Sequence, residues 1–330
     1  PRRSPPKPSS AASDEYKRQV YKSTGSWYHI KDAQGKLIPC RIKGKFRIEG
    51  LTSTNPVAVG DVVEVTLIDT QDGQQGVITD IQTRKNYIVR KSVNLSKQIH
   101  IIAANIDCAF LLVTISNPPT YPAFIDRFLA TAEAYEIETV LLFNKEDSYG
   151  TADKEHMRIL KQLYKMIGYT CLEISATKHT NLEDVKTMMT GKTCMLSGHS
   201  GVGKSTLVNA LAPGLNIKTA DISTQQQQGQ HTTTFAEMHD LNFNARIVDT
   251  PGIRGFGVVN MEQEEIGDYF REFFERKENC KFNNCLHLEE PKCAVKTAVE
   301  AGEIAASRYK SYVQMLAGED QHYRTDFWDS

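Results

Sequence analysis

The sequence predicts a chain of three parts: an N-terminal β-barrel, a central α/β domain and a C-terminal, mostly helical domain that binds a metal ion. Short alternating strands in the first hundred residues predict the barrel, and strands alternating with helices around a glycine-rich loop predict the α/β domain. A cluster of Cys and His predicts the metal-binding domain. A chain of 330 residues is too long for one typical domain, and 40% apolar residues are enough for several cores.

The N-terminal region divides into a tail and a small barrel. Residues 1–22 are expected to form a disordered tail because their first half is rich in Pro, Ser and basic residues. Residues 23–97 alternate apolar and polar side chains between Gly and Asp turns, which is typical of a small barrel. The strands are predicted at residues 26–31, 37–43, 61–67, 75–81 and 86–90.

Charge is concentrated in this region. Residues 1–100 hold 17 Lys and Arg against 9 Asp and Glu, whereas the whole chain has a net charge of −1. On one strand, basic residues alternate with apolar ones, which predicts a cationic face opposite a core face. We expect the cationic face to bind RNA backbone, and a merely solvated face is the alternative. Its residues are Arg41, Lys43, Lys45 and Arg47.

A phosphate-binding loop lies in the central domain, residues 98–262. The spacing G-x-x-x-x-G-K-S between an apolar strand (192–197) and a helix (205–211) lets backbone N–H groups wrap phosphates at a helix N-terminus. Lys204 is expected to neutralise the β- and γ-phosphates, and the Ser205 hydroxyl to bind Mg²⁺. The predicted nucleotide-binding residues here are Gly198, His199, Ser200, Gly201, Val202, Gly203, Lys204, Ser205 and Thr206.

Two further segments predict that the base is guanine. The segment Asn144, Lys145, Glu146 and Asp147 reads N-K-x-D and follows an apolar strand at 138–143, where α/β sheets bind ligands. The Asp147 carboxylate can accept from both N1–H and the exocyclic amine of guanine, which adenine cannot match. Ser175 and Ala176 follow another strand and form an S-A motif that presents a backbone N–H to guanine O6. The sequence therefore favours GTP over ATP.

The remaining nucleotide motif stands in an unusual place. Asp249 to Gly252 reads D-x-x-G and is expected to contact Mg²⁺ and the γ-phosphate, so both residues are predicted to bind GTP. One of Thr233 and Thr234 should complete the Mg²⁺ shell with Ser205 and Asp249. Because N-K-x-D precedes the phosphate loop here and follows it in ordinary small GTPases, the sequence predicts a circularly permuted GTPase.

The sequence offers one candidate for the catalytic residue. Ile253 stands directly after the D-x-x-G glycine, where many GTPases carry a Gln that orients the attacking water. His231, in the expected switch segment, is the candidate replacement. A solvated loop histidine without a catalytic part is the alternative.

A second group of residues predicts a metal ion. Cys280, Cys285, His287 and Cys293 follow a spacing that suits tetrahedral Zn²⁺. Four protein ligands leave no position for water, so the predicted role is structural. The alternative is a set of unrelated thiols beside a surface histidine. The other cysteines lie in apolar runs and are expected to be core residues.

Together these residues resemble a known family. The permuted order, Asp126 to Leu129 (D-R-F-L), the phosphate loop, His231 to Thr234 (H-T-T-T) and the Cys/His cluster resemble the bacterial ribosome-small-subunit-dependent GTPases (RsgA, also called YjeQ). The sequence departs from the family at Gln230, where Arg is usual, and at Ser148, where Leu is common.

The resemblance implies an OB-fold, a permuted GTPase and, in residues 263–330, a zinc-containing helical domain. It also implies a GTP hydrolase that binds the small ribosomal subunit and its rRNA late in maturation and leaves after hydrolysis. An RNA-binding scaffold or sensor with negligible turnover is the alternative, since the Gln is missing. Free cysteines predict a reducing cytoplasm. No apolar run approaches the ~20 residues of a membrane span, and we expect a monomer.

Overall fold

A computed structural model describes residues 17–32, 34–43, 56–71, 73–91, 99–215, 236–249 and 261–318. The chain folds into two compact units. The first contains residues 1–106 with 232–240 and 246–251, and the second contains residues 107–231, 241–245 and 252–330.

A five-stranded barrel forms most of the first unit. Its strands pair in the order β1-β2-β3-β5-β4, and a β1–β4 pairing closes the barrel. Buried alternate residues such as Val20, Ile30, Cys40 and Ile78 fill its core, as expected for strands with one buried face. The strands are β1 (Lys17–Ser23), β2 (Tyr28–Lys31), β3 (Leu37–Ile42), β4 (Val62–Thr70) and β5 (Gly73–Ile81).

The predicted N-terminal tail overlaps strand β1. The tail was expected to run to residue 22, but Lys17–Ser23 pairs with both β2 and β4. Only Val20 and Tyr21 are apolar in this strand, so its short pattern gives little signal by itself. Val20 lies in the barrel core and Tyr21 is also buried, so pairing with neighbouring strands makes this segment a strand. Residues 1–16 lie outside the described part of the chain.

Two other strand pairings belong to the first unit. Strand β6 (Tyr87–Lys91) pairs with β7 (Ile99–Ala104), so the boundary expected between residues 97 and 98 falls inside a hairpin. Strand β12 (Glu237–Leu241) pairs with β1 through Lys22 and Glu237.

A parallel sheet organises the second unit, in the order β10-β9-β8-β11. All six residues of β8 are buried, which is typical of a parallel strand covered on both faces. The strands are β8 (Cys108–Val113), β9 (Glu138–Phe143), β10 (Thr170–Glu173) and β11 (Thr193–Ser197). Strand β13 (Ala245–Asp249) is divided between the units. The helices beside the sheet are α1 (Pro122–Ala134), α2 (Thr151–Met166), α3 (Leu182–Met189) and α4 (Lys204–Leu211).

Short helices follow in the C-terminal region. They are α5 (Gln263–Ile266), α6 (Arg271–Lys277), α7 (Ala294–Glu300) and α8 (Ala306–Leu316). Their core includes Phe270, Phe273 and Tyr312 and also Ala130 of α1, so the boundary expected at residue 262 crosses a shared core. No helix in the described ranges combines the length and apolar character needed to cross a bilayer.

Candidate nucleotide site and metal centre

Three of the predicted motifs meet at one edge of the parallel sheet. Asn144 directly follows β9, Ser175 comes two residues after β10, and Gly198 directly follows β11. The carboxyl ends of parallel strands lie at the same edge, where α/β folds bind their ligands. The topology therefore brings the N-K-x-D, S-A and phosphate-loop segments together.

The side chain of Asn144 links all three segments. Its Nδ2 donates to the carbonyl of Val202 in the phosphate loop at 2.8 Å. Its Oδ1 accepts from the backbone N–H of Ala176 at 3.1 Å. Asn144 is only 2% exposed, and a buried amide with both ends satisfied holds its neighbours in a fixed arrangement.

The glycines of the phosphate loop permit this close approach. Gly203 has φ +100°, and a Cβ at this position would lie 2.5 Å from Nδ2 of Asn144. Gly198 has φ +140°, and its Cβ would lie 2.8 Å from the carbonyl oxygen of Leu112. Both positions therefore need glycine for backbone conformation and for space.

Lys204 and Ser205 begin helix α4 directly after this loop. The Lys204 ammonium donates to the carbonyls of Gly198 at 2.8 Å and His199 at 2.6 Å. The ammonium therefore lies over the loop, where it would pair with the negative charge of a bound phosphate. Ser205 is half-buried in the first turn of the helix.

Asp147 lies in a short 3₁₀ helix after β9 and is exposed. Its Oδ1 accepts from the Ser175 hydroxyl at 2.5 Å, and its Oδ2 accepts from the Thr177 hydroxyl at 3.3 Å. The hydrogen bond from Ser175 is the main cause that lowers the pKa of Asp147, so the carboxylate is ionised at neutral pH.

Lys145 adopts a left-handed backbone with φ +69°. Its ammonium donates to the carbonyl of Asn117 at 2.5 Å. Glu146 follows it in the 3₁₀ helix.

The structure also shows supporting residues that sequence reasoning missed. The Tyr149 hydroxyl donates to the carbonyl of Asn144 at 2.6 Å and accepts from the N–H of Ile115 at 2.9 Å. Burial raises the pKa of Tyr149 to about 12, so the hydroxyl keeps its proton. The ring of Phe124 lies 3.8 Å from that of His199, measured between centroids. A lone Tyr or Phe carries no motif, so these contacts had no sequence signal.

Several predicted residues lie outside the described ranges. These are His231, Thr233, Thr234, Gly252, Lys45 and Arg47. Asp249 is the last residue of β13, but its side chain is not among those described.

The Cys/His cluster forms a compact set of four ligand atoms. The Sγ atoms of Cys280, Cys285 and Cys293 and a ring nitrogen of His287 lie within 4.8 Å of one another. Cys280 Sγ is 3.9 Å from Cys293 Sγ, and His287 Nδ1 is 3.3 Å from Cys293 Sγ. A tetrahedral ion with bonds of ~2.3 Å to sulfur separates two sulfur ligands by ~3.8 Å, so the cluster fits a metal ion.

The surroundings act in opposite ways on the imidazole and on the Cys285 thiol. Burial lowers the pKa of His287, which keeps its imidazole neutral. Burial raises the pKa of Cys285 to about 12, so binding of a cation there would release protons. Helix α8 holds the loop, since Tyr309 donates to the carbonyl of His287 and Tyr312 to that of Leu286, both at 2.7 Å.

The four other cysteines are buried, as expected for core residues. Burial raises the pKa of each thiol above its ordinary range, to about 11 for Cys40 and Cys171 and to about 12 for Cys108. These thiols are therefore unreactive.

In the described part of the cationic strand, exposed basic side chains alternate with an apolar side chain that faces the core. Arg41 and Lys43 are exposed, whereas Ile42 packs against the barrel core. The Arg41 guanidinium lies 3.9 Å from the centre of the Trp27 ring, so a cation and an aromatic face share one surface.

Comparisons with known proteins agree with this geometry. The RsgA N-terminal domain model matches residues 17–78, and the RsgA GTPase model matches residues 81–259. The chain belongs to the RsgA GTPase family. It is 63% identical to the small ribosomal subunit biogenesis GTPase RsgA of Christiangramia forsetii, over 93% of this chain and 98% of that protein. It is 62% identical to RsgA of Flavobacterium johnsoniae, over 94% and 95%.

Two solved structures share the whole architecture. The crystal structure of YjeQ from Thermotoga maritima matches this RsgA-family chain with a TM-score of 0.75 and 36% identity, covering 92% of this chain and 98% of that one. YloQ, a circularly permuted GTPase, matches with a TM-score of 0.71 and 29% identity, covering 94% and 96%. The predicted barrel, permuted GTPase domain and helical region with a metal-compatible cluster are therefore confirmed.

Proposed function

We propose that this protein hydrolyses GTP during late maturation of the small (30S) ribosomal subunit, binds its rRNA and is released on hydrolysis. The relatives carry names that assign them to small ribosomal subunit biogenesis. Identity of 63% over 93% of this chain supports the same role here.

The observation that carries the proposal is the pair of hydrogen bonds made by Asn144. One bond reaches the phosphate loop and the other reaches Ala176 of the base-reading segment. A nucleotide must engage both segments at once, and a preset spacing between them lowers the entropy cost of binding. In this proposal the ionised Asp147 accepts from guanine, and Lys204 neutralises the phosphates.

Magnesium would accompany GTP. Ser205 is the ligand that the phosphate loop offers, and we assign Asp249 and one of Thr233 and Thr234 to the same ion on sequence grounds. The ion would neutralise charge that develops on the phosphates.

We propose His231 as the residue that orients the attacking water. The hydrophobic Ile253 cannot take that part, so another group must. A His within hydrogen-bond reach of the water typically contributes ~10²-fold or more to the rate.

The test is GTP turnover with and without purified small ribosomal subunits. We expect subunits to stimulate the wild type strongly, and His231→Ala to lower the stimulated single-turnover rate by ~10²-fold with nearly unchanged GTP affinity. Unchanged slow turnover in the presence of subunits, with nucleotide-dependent binding to them, would support the scaffold hypothesis instead. A loss smaller than threefold in His231→Ala would assign catalysis to the rRNA or to another switch residue.

We further propose that the metal is one structural Zn²⁺ held by Cys280, Cys285, His287 and Cys293. Three thiols and an imidazole are the donor set that Zn²⁺ prefers, and four ligands close its coordination shell. Such an ion would stabilise the loop between residues 280 and 293 and take no part in hydrolysis.

The barrel would supply the RNA contact through Arg41, Lys43, Lys45 and Arg47. The stacked pair of Arg41 and Trp27 supports this, because cations and aromatic faces together suit phosphates and bases. We propose that the protein acts as a monomer in the cytoplasm without a membrane partner.

A further inference from the structure

A buried ion-pair cluster joins the nucleotide fold to the C-terminal helices. Arg308 in α8 is 1% exposed and donates through Nε and Nη2 to the two carboxylate oxygens of Glu272 in α6, at 2.6 and 3.0 Å. Its Nη1 donates to Oδ1 of Asp126 in α1 at 2.8 Å. One guanidinium therefore bridges two carboxylates from distant parts of the chain.

Every polar group of the cluster has a partner. Asp126 also accepts from the Tyr164 hydroxyl at 2.8 Å and from the Ser311 hydroxyl at 2.6 Å. A buried ion pair often gives little net stability relative to apolar packing of the same volume. Its hydrogen bonds are nevertheless directional, so the cluster fixes the orientation of α1 against α8.

Helix α1 contacts the phosphate loop only two residues from Asp126. Phe124, in the first turn of the helix, is half-buried, and its ring contacts that of His199 at 3.8 Å between centroids, with the two planes tilted by 35°. The carbonyl of His199 in turn accepts from the Lys204 ammonium at 2.6 Å. Phe124 and Asp126 lie ~3 Å apart along the helix axis, so a shift at one moves the other.

We propose that Asp126 and Arg308 are positioning residues for the phosphate-binding loop. Their ion pair holds α1 so that Phe124 supports His199, and His199 supports Lys204. This inference rests on the proposed binding of guanine nucleotides. It assigns the C-terminal helices a part in nucleotide affinity, although none of their side chains belongs to the nucleotide motifs.

A partly exposed ion pair between α1 and α6 provides a matched control. Arg271, the first residue of α6, donates through Nε to Glu133 at 2.6 Å and through Nη1 to the carbonyl of Gly168 at 2.9 Å. It joins the far end of α1 to the C-terminal helices but is about one-third exposed. A partly solvated pair fixes orientation weakly. Arg271→Gln therefore tests whether the loss of any ion pair between α1 and the C-terminal helices weakens nucleotide affinity.

The experiment measures GDP affinity of the full-length chain with a fluorescent GDP, at temperatures where each variant is folded. We expect Phe124→Ala, Arg308→Met and Asp126→Asn each to weaken affinity about five- to tenfold. The double variant Phe124→Ala with Arg308→Met should bind GDP less than twofold more weakly than the single variant with the lower affinity. Both substitutions act through one contact, so their effects should not multiply. Arg271→Gln should stay within twofold of the wild type.

Two results would overturn the proposal. In the first, Arg308→Met lowers the unfolding temperature but leaves GDP affinity within twofold, which makes the cluster purely structural. In the second, the losses of Phe124→Ala and Arg308→Met multiply, which makes them independent.

If Arg308→Met does not fold, Phe124→Ala alone decides, since unchanged affinity in that variant removes the contact on which the proposal depends. A wild-type protein that binds no guanine nucleotide would refute the proposed function as well. If the wild-type protein binds GDP and the variants bind it with the same affinity, only this inference is refuted.

Discussion

The nucleotide motifs and the Cys/His cluster are assembled over very different distances along the chain. Asn144 bonds to Val202, 58 residues away, and to Ala176, 32 residues away. The four metal-compatible ligands all lie between residues 280 and 293. The first site depends on the topology of a sheet, whereas the second depends mainly on one loop.

This difference teaches where each site is vulnerable. A local cluster fails when one ligand is lost, because the ion itself supplies much of the order. A site built from strand ends is held by the sheet, so single changes weaken binding by the contact removed and leave the fold intact.

Loss of a cluster ligand should have the largest effect. We expect Cys285→Ser to lower bound zinc below one per chain and to destabilise the loop, because structural zinc binding is worth ~10 kcal/mol or more in small zinc domains. GDP affinity should change less than threefold, since the Arg308–Asp126 ion pair is untouched. Metal analysis of chelator-free protein checks this, and wild-type protein without stoichiometric zinc would refute the assignment.

Removing the base-reading carboxylate should weaken binding without unfolding the protein. Asp147→Asn replaces an acceptor of two guanine donors, so GTP affinity should fall by roughly 2–4 kcal/mol. A xanthine nucleotide, whose 2-oxo group accepts from the new amide, should partly restore binding. Equal GTP affinity of variant and wild type in titration calorimetry would refute the role of N-K-x-D.

Two glycine substitutions distinguish the effect of backbone strain from that of the contact between the phosphate loop and Asn144. Gly203→Ala adds a Cβ 2.5 Å from Asn144 Nδ2 at φ +100°, whereas Gly214→Ala meets the same backbone strain at φ +99° with no atom within 4 Å. Each costs ~1–3 kcal/mol for backbone strain. Only Gly203→Ala should reduce GDP affinity, by at least tenfold, and comparable affinities for the two variants would contradict the Asn144 link.

The smallest effect should come from the hydroxyl that supports Asp147. Ser175→Ala removes the 2.5 Å hydrogen bond that chiefly lowers the pKa of Asp147, at a cost of ~1 kcal/mol in GDP affinity at pH 7. A depressed carboxyl pKa means that binding persists as pH falls and is lost on passing through that pKa. In Ser175→Ala the loss should begin at a higher pH. Identical pH profiles for variant and wild type would show that Ser175 does not tune this group.

Sequence reasoning was reliable where the signal is local. The Cys/His spacing, the phosphate loop between a strand and a helix, and the alternation around Arg41 each lie within a few turns of chain. Short-range spacing fixes which side chains share a face or a loop, so these features were predictable. The order of the motifs also indicated the permutation directly.

Sequence by itself determined the three-part architecture, the order of the GTPase motifs and the metal-compatible Cys/His cluster. Only the tertiary structure decided that residues 17–22 form a strand, that Tyr149 braces Asn144 and that Arg308 pairs with Asp126, 182 residues away. Each of these depends on a partner far along the chain. The role of a single buried Arg, or of a strand with two apolar residues, cannot be predicted without the partner that folding brings to it. The reason is that burial is favourable only once the polar groups are hydrogen-bonded.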